Sequence, residues 1–97
     1  MSWYCAKLLL KAYLGSDSIT ETMKDESIRL ISASSIEEAQ QLALEVGHTL
    51  EHSYPNDKGE TVYWKFISVM EIQDLCEDTL QHGMEVFSEL SKLDKKL

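Results

Sequence analysis

Gly47 to Phe66 reads GHTLEHSYPNDKGETVYWKF, and the change of period inside it sets the architecture of the chain. It holds two of the three histidines, the only proline, one of the two tryptophans and two of the four tyrosines. Up to Glu51 the apolar residues keep helical spacing. Pro55-Asn56-Asp57-Lys58-Gly59 then has turn chemistry: Pro fixes φ, Asn and Asp bond locally, and Gly accepts a positive φ. From Thr61 the residues are β-branched and aromatic, which suits a strand. A helix, a loop and a strand in succession make this the place where a small domain would build a site.

Upstream, Ser35 with Glu38 three residues later is a capping box and marks the start of a helix. Ile36, Ala39, Leu42, Ala43, Val46 and Leu50 form one apolar stripe, so the helix is expected from about Ile36 to about Glu51. Gly47 inside it costs about 1 kcal/mol relative to Ala. Before the helix the period is two. Tyr4, Ala6, Leu8, Leu10 and Ala12 alternate with Trp3, Cys5, Lys7, Leu9, Lys11 and Tyr13, which is a strand. Ser27 to Ala33 is a shorter one, with Ile28 and Leu30 opposite Arg29 and Ile31. The acidic stretch from Gly15 to Glu26 connects them, long enough that part of it extends the flanking strands.

Downstream, Thr61 to Ile72 is the strongest strand, with Val62, Trp64, Phe66, Ser68, Met70 and Ile72 opposite Tyr63, Lys65, Ile67, Val69 and Glu71. Gln73 to His82 has no clear period, Met84 to Leu90 reads as a last short strand, and 91–97 as a frayed tail. The order β-β-α-β-β predicts a two-layer α+β fold: one domain over 1–97, with a four-stranded, largely antiparallel sheet and one main helix on one face.

The composition narrows the function. With 97 residues the chain suits one domain. A net charge of -8, from 17 acidic and 9 basic residues, disfavours nucleic acid and anionic membranes as partners. Leu8-Leu9-Leu10, the longest apolar run, is far short of a membrane span. The N-terminus makes a poor signal peptide, with Lys7 and Lys11 inside its apolar stretch. Cys5 and Cys76 have no CxxC spacing and read as free, mostly buried thiols in a reducing cytoplasm.

His48-Thr49-Leu50-Glu51-His52 matches H-x-x-E-H, in which two imidazoles four apart on a helix reach one zinc and the Glu acts as base. The pattern fixes three positions only. A third ligand among Glu60, Glu71 and His82 is not singled out, and a solvated helix end accounts for the same residues. His48 and His52 are therefore weak metal candidates. No cofactor is expected. No nucleophile elbow or glycine-rich phosphate loop occurs, which points away from an enzyme.

One helix leaves one sheet face open. Alternation assigns Trp3, Lys7, Leu9, Lys11, Tyr13, Arg29, Ile31, Tyr63, Lys65, Ile67 and Val69 to it, unless a bulge reverses part of a strand. Cross-strand pairing with Glu71, Glu85 or Glu89 explains the lysines in one way. A docking face explains them in another, because a half-apolar face is seldom left bare.

The chain also resembles a family of short bacterial proteins, domain of unknown function 4288. The residues that carry the likeness are Trp3-Tyr4 with Ala6-Lys7-Leu8, Ala33-Ser34-Ser35 with Glu37-Glu38-Ala39, and Glu51-His52-Ser53-Tyr54 with Asn56 and Gly59-Glu60. Tyr63-Trp64-Lys65-Phe66 and Gly83 with Glu85-Val86 complete it, so the likeness spans nearly the whole chain. It implies a small bacterial cytoplasmic domain and supplies no catalytic residues. The expected function is a non-enzymatic interaction module, comparable in size and charge to toxin-neutralising immunity proteins. It would take a protein partner, or a second copy as a homodimer, through the open sheet face. Trp3, Lys7, Lys11, Tyr63 and Lys65 are the candidate contacts there, with His52 and Tyr54. The alternative is a small-ligand or metal site around His48, His52, Tyr54 and Tyr63.

Overall fold

The structure is a computed structural model and describes residues 1–15 and 21–91. Its elements are β1 (Ser2–Leu14), β2 (Glu21–Ala33), α1 (Ile36–Thr49), β3 (His52–Pro55) and β4 (Thr61–Asp74). They form one antiparallel sheet in the order β2-β1-β4-β3, with the single helix on one face. The expected α+β class and the order β-β-α-β-β both hold. Two memberships differ. β2 starts at Glu21 rather than Ser27, because its polar first half pairs with the far end of β1: Lys24 opposite Lys11, Asp25 opposite Leu10. The fourth strand is His52–Pro55, and Met84 to Leu90 forms no ladder.

β3 is a short edge strand, the one place in a sheet where a proline is tolerated. Asn56 closes its turn to β4. The Asn56 side-chain oxygen accepts from the Lys58 and Glu60 backbone N–H groups at 3.0 and 2.9 Å, and Gly59 takes the positive φ of 79° that the turn requires.

The helix begins as its sequence predicts. The Glu38 N–H donates to the Ser35 hydroxyl at 3.1 Å, and the Glu38 carboxylate reaches back to the Ser34 N–H at 2.9 Å. It ends two residues earlier than expected, with Leu50 as its C-cap. Its stripe packs on Tyr4, Ala6, Leu8 and Leu10 of β1 and Ile31 and Ala33 of β2, joined by Trp64, Phe66, Val69 and Ile72 of β4.

The pairing of β1 with β4 shifts register twice, between Lys7 and Leu8 and between Leu9 and Leu10, leaving Met70 and Ile67 of β4 without partners. These two bulges reverse the middle of the strand. Ser68 pairs with Leu9 on the open face, and Val69 pairs with Leu8 on the helix face, the opposite of simple alternation. β2 brings a second correction. Ile31 lies opposite Tyr4 and Arg29 opposite Ala6, so both belong to the helix face, while Ile28 and Leu30 are on the open one. Arg29 is exposed despite this placement, because β2 is an edge strand and the long side chain extends past the core.

Beyond β4 the chain turns at Cys76, whose φ of 58° is uncommon for a residue with a Cβ. The Cys76 N–H donates to the Asp74 carboxylate at 2.8 Å, which holds that turn. The segment that follows lies against the open face near Lys7. Lys7 bridges Glu89 at 2.6 Å and Glu26 at 3.2 Å, its ammonium stands 5.4 Å from the Phe87 ring centroid, and Gln73 donates to the Ser88 carbonyl at 2.9 Å. Cys5, on this face and fully buried, is a free thiol; Cys76 is free too but exposed, contrary to expectation. The expected tail lies outside the described residues from 92 on.

Candidate functional site

The residues singled out by sequence separate into three places. His52 and Tyr54 come together. β3 pairs His52 with Trp64 and Tyr54 with Val62, which puts both side chains on the helix side of the sheet, just past the end of α1. The His52 ring lies nearly parallel to those of Trp64 (16°, 6.4 Å) and Tyr54 (23°, 6.0 Å), and the Trp64 indole N–H donates to the Tyr54 hydroxyl at 3.4 Å. These rings wall a groove of about 500 Å³ with Leu10, Asp25, Arg29 and Glu51. Arg29 escaped the sequence reading because alternation placed it on the other face. The shared face of Arg29 with buried Ile31 was the available signal.

Tyr63, Lys65 and Lys11 lie on the opposite face. Lys24, Lys11 and Lys65 form one row across β2, β1 and β4, with Tyr13 paired to Tyr63 beside it. Lysines directly opposite one another repel. Two neighbours offset this: Lys24 bridges Glu26 at 3.5 Å, and Lys65 stands 5.4 Å from the Tyr13 ring centroid, a cation–π distance. Trp3 and Lys7 are at the other end of this face, tied to the C-terminal segment. Trp3 exchanges backbone hydrogen bonds with Leu75 (3.0 Å) and Glu77 (2.8 Å). The hydrogen bonds and charges of Glu89 and Glu26 raise the Lys7 ammonium above the usual lysine range, and Lys7 in turn lowers the Glu26 carboxyl.

The H-x-x-E-H geometry is not realised. The helix stops before His52, so the histidines are not four apart on one helix. His48 meets Phe66 edge-on at 5.1 Å and Glu51 at 3.6 Å, while His52 Nδ1 pairs with the Leu50 carbonyl at 2.9 Å. The other Glu51 oxygen accepts from the Phe66 N–H at 3.1 Å, which is a structural use for a residue the motif would make a base. Among the described residues no three of His, Cys, Asp and Glu converge on a point that would hold a metal.

A third surface follows from the topology. β3 covers β4 only from Thr61 to Trp64. From Lys65 to Asp74 the outer edge of β4 has no ladder partner among the described residues. Between that edge and the helix lies a groove of about 640 Å³, walled by Ile36, Gln40 and Leu44 of α1 and by Ile67 to Ile72 of β4. Ile36, Leu44, Ile67 and Met70 are each 39–46% exposed there. No local pattern marks this groove, because it exists only once β3 proves short and β4 proves bulged.

Fold and surfaces define a small antiparallel α+β domain with one helix, an aromatic groove at the helix end and an open sheet edge. The chain belongs to the family described as a domain of unknown function (DUF4288), whose pattern it matches over residues 3–88. Neither a curated protein nor a solved structure matches it. No helix of the described residues is long and apolar enough to cross a membrane.

Proposed function

We propose that this chain is a non-enzymatic protein-interaction module that adds an extended strand, from a protein partner or a second copy, to its sheet along β4. The supporting observation is the edge from Lys65 to Asp74, which has no ladder partner among the described residues, beside an apolar groove. An edge of unpaired N–H and C=O groups is a template for another strand, and the exposed Ile36, Leu44, Ile67 and Met70 side chains provide apolar contacts to accompany backbone pairing. The open face adjoins this edge through Lys65 and Tyr63, so the contacts expected from sequence border the same surface. Free thiols suit a reducing bacterial cytoplasm as the place of action.

Amide hydrogen exchange tests the reading. Occupancy of the edge slows exchange in 65–74, and Met70→Lys, which puts a charge in the groove, abolishes the slowing. A partner complex in which these amides exchange as in the free monomer would falsify strand addition.

The aromatic groove supports a second reading, a site for a planar anionic ligand. Its stacked His52 and Trp64 rings and the Arg29 guanidinium are the features that favour it. Ligand binding would quench Trp64 fluorescence and would be lost in Arg29→Ala. Binding unaffected by that change sinks this reading.

A further inference from the structure

β3 and Glu51 shorten the part of the β4 edge that can accept a strand. β3 occupies the edge through Trp64, and the Glu51 carboxylate takes the Phe66 N–H at 3.1 Å, so the run left for pairing is 67–74. Six consecutive residues of it, Ile67 to Ile72, wall the groove against α1. A regular strand walls a groove with every second residue; six in a row mean that the backbone edge itself is exposed there.

The other side of the same edge is acidic. A hollow of about 760 Å³ lies there, walled by Glu71 and Gln73 of β4 and by Ser88 and Glu89 of the segment that follows. Glu71 borders both the hollow and the groove. Its ladder partner Lys7 directs its ammonium elsewhere, to Glu89 at 2.6 Å and Glu26 at 3.2 Å. Glu71 accepts a hydrogen bond from the Gln73 amide at 3.4 Å and has no ion pair among the described residues. The sequence around it is one-sided in charge. Between Phe66 and Ser91 stand Glu71, Asp74, Glu77, Asp78, Glu85 and Glu89, and no lysine or arginine.

We propose that the strand taken up along 67–74 is a segment of a partner protein in which aliphatic and basic residues alternate. This rests on the strand-addition reading and names the chemistry of what is added. A segment lying along the edge sends alternate side chains to the two faces of the sheet. One set enters the groove and covers the exposed Ile36, Leu44, Ile67 and Met70, which suits aliphatic side chains. The other set lies beside Glu71 and the acidic hollow, which suits lysine or arginine. Backbone pairing gives affinity for any extended chain; these two faces give the choice among them. The net charge of -8 draws a basic partner toward the surface and turns an acidic one away.

Short peptides test this. The probes are three labelled seven-residue peptides, acetylated and amidated, in which lysine alternates with valine, glutamate with valine, or lysine with serine. In fluorescence anisotropy the lysine–valine peptide is expected to bind, with the other two about tenfold weaker. Its affinity falls about threefold in Glu71→Gln, and Glu71→Lys narrows its preference over the glutamate–valine peptide. Tighter binding of the glutamate–valine peptide by Glu71→Lys shows at the same time that the variant is folded. Equal binding of the lysine–valine and glutamate–valine peptides, or a preference unmoved by both Glu71 changes, overturns the basic partner. So does the absence of binding by the lysine–valine peptide at millimolar concentration. Amides in 67–74 that are already protected at low micromolar concentration without peptide assign the edge to a second copy and overturn it too. Hydrogen exchange separates these failures from that of strand addition. Slowed exchange in 67–74 with a peptide of the wrong charge overturns the basic partner alone. A bound peptide that leaves those amides exchanging freely overturns both.

Discussion

Gly47 has no Cβ, and the ring of Phe66 occupies the place where one would stand. A Cβ there would meet three Phe66 ring atoms at 2.5–2.7 Å. Read as sequence, Gly47 is a liability of about 1 kcal/mol in a helix. In the structure it is the close approach of helix to strand that lets Phe66 join the core. Gly47→Ala therefore destabilises by about 1–3 kcal/mol, as overpacking does, instead of the gain that helix propensity alone predicts. Phe66→Leu in the same chain recovers part of the loss; urea unfolding of the single and double variants measures both. The cysteines differ at this scale as well. Cys5 is fully buried, and burial, with Glu71 adding, pushes its thiol up, while Cys76 is exposed. Iodoacetamide on the native chain labels Cys76 and leaves Cys5 until unfolding, which mass spectrometry reads directly. The candidate residues themselves were readable as types, but not their grouping. His52 and Tyr54 were placed together by their position after the helix. Arg29 was not, since a two-face alternation leaves open which face the helix takes.

Elements with strong local signals were the readable ones. The Ser35–Glu38 box gave the start of α1 within the residue, and strict alternation gave β1. Helix ends lack so sharp a signal, and Leu50 continues the apolar stripe past the stop at Thr49. The middle of β4 misled because a bulge leaves no trace in composition: Ser68 and Val69 exchange faces through geometry alone. The segment after Gly83 misled for another reason. Its apolar residues do pack on the sheet, as Phe87 does over Lys7, but without adding a strand. Charge holds that segment. Lys7 is raised, so its contribution is complete below the usual lysine range and is lost as pH rises through its raised value. Glu26 is lowered, so its contribution is present above the usual carboxylate range and is lost as pH falls through its lowered value. Acid thus removes the Lys7–Glu26 bridge between β1 and β2, while alkali removes both of the Lys7 bridges. Limited proteolysis between 84 and 91 is expected to be slow at neutral pH in the parent chain and fast in Lys7→Met, which removes the Glu89 bridge. Equal cleavage of that variant and the parent chain at neutral pH would show that the segment is held by something other than Lys7.

At the scale of the whole molecule, the sequence implied two layers but not which strand stands at which edge. Strand order comes from long-range pairing, and β1 in the centre with β3 covering only part of β4 follows from no local pattern. The consequence is an open molecule. Its radius of gyration is 16.9 Å, against about 13 Å for a compact domain of this length. Its surface is 7061 Å², against roughly 5,700 Å² expected from its mass. A chain that leaves this much surface uncovered has a small margin of stability of its own, and any copy that covers the β4 edge adds to that margin by mass action. Unfolding then depends on concentration. If folding is linked to pairing, a hundredfold rise in concentration contributes about 1.4 kcal/mol per chain, half of the 2.7 kcal/mol that one such linked equilibrium supplies. In a domain of this size that is a shift of several degrees in the melting temperature. Calorimetry from low to high micromolar concentration measures it. The shift shrinks in Met70→Lys, which places a charge in the groove beside that edge. A melting temperature that stays fixed across that range would mean that the chain is fully stable with its edge bare, and that pairing contributes nothing to its folding.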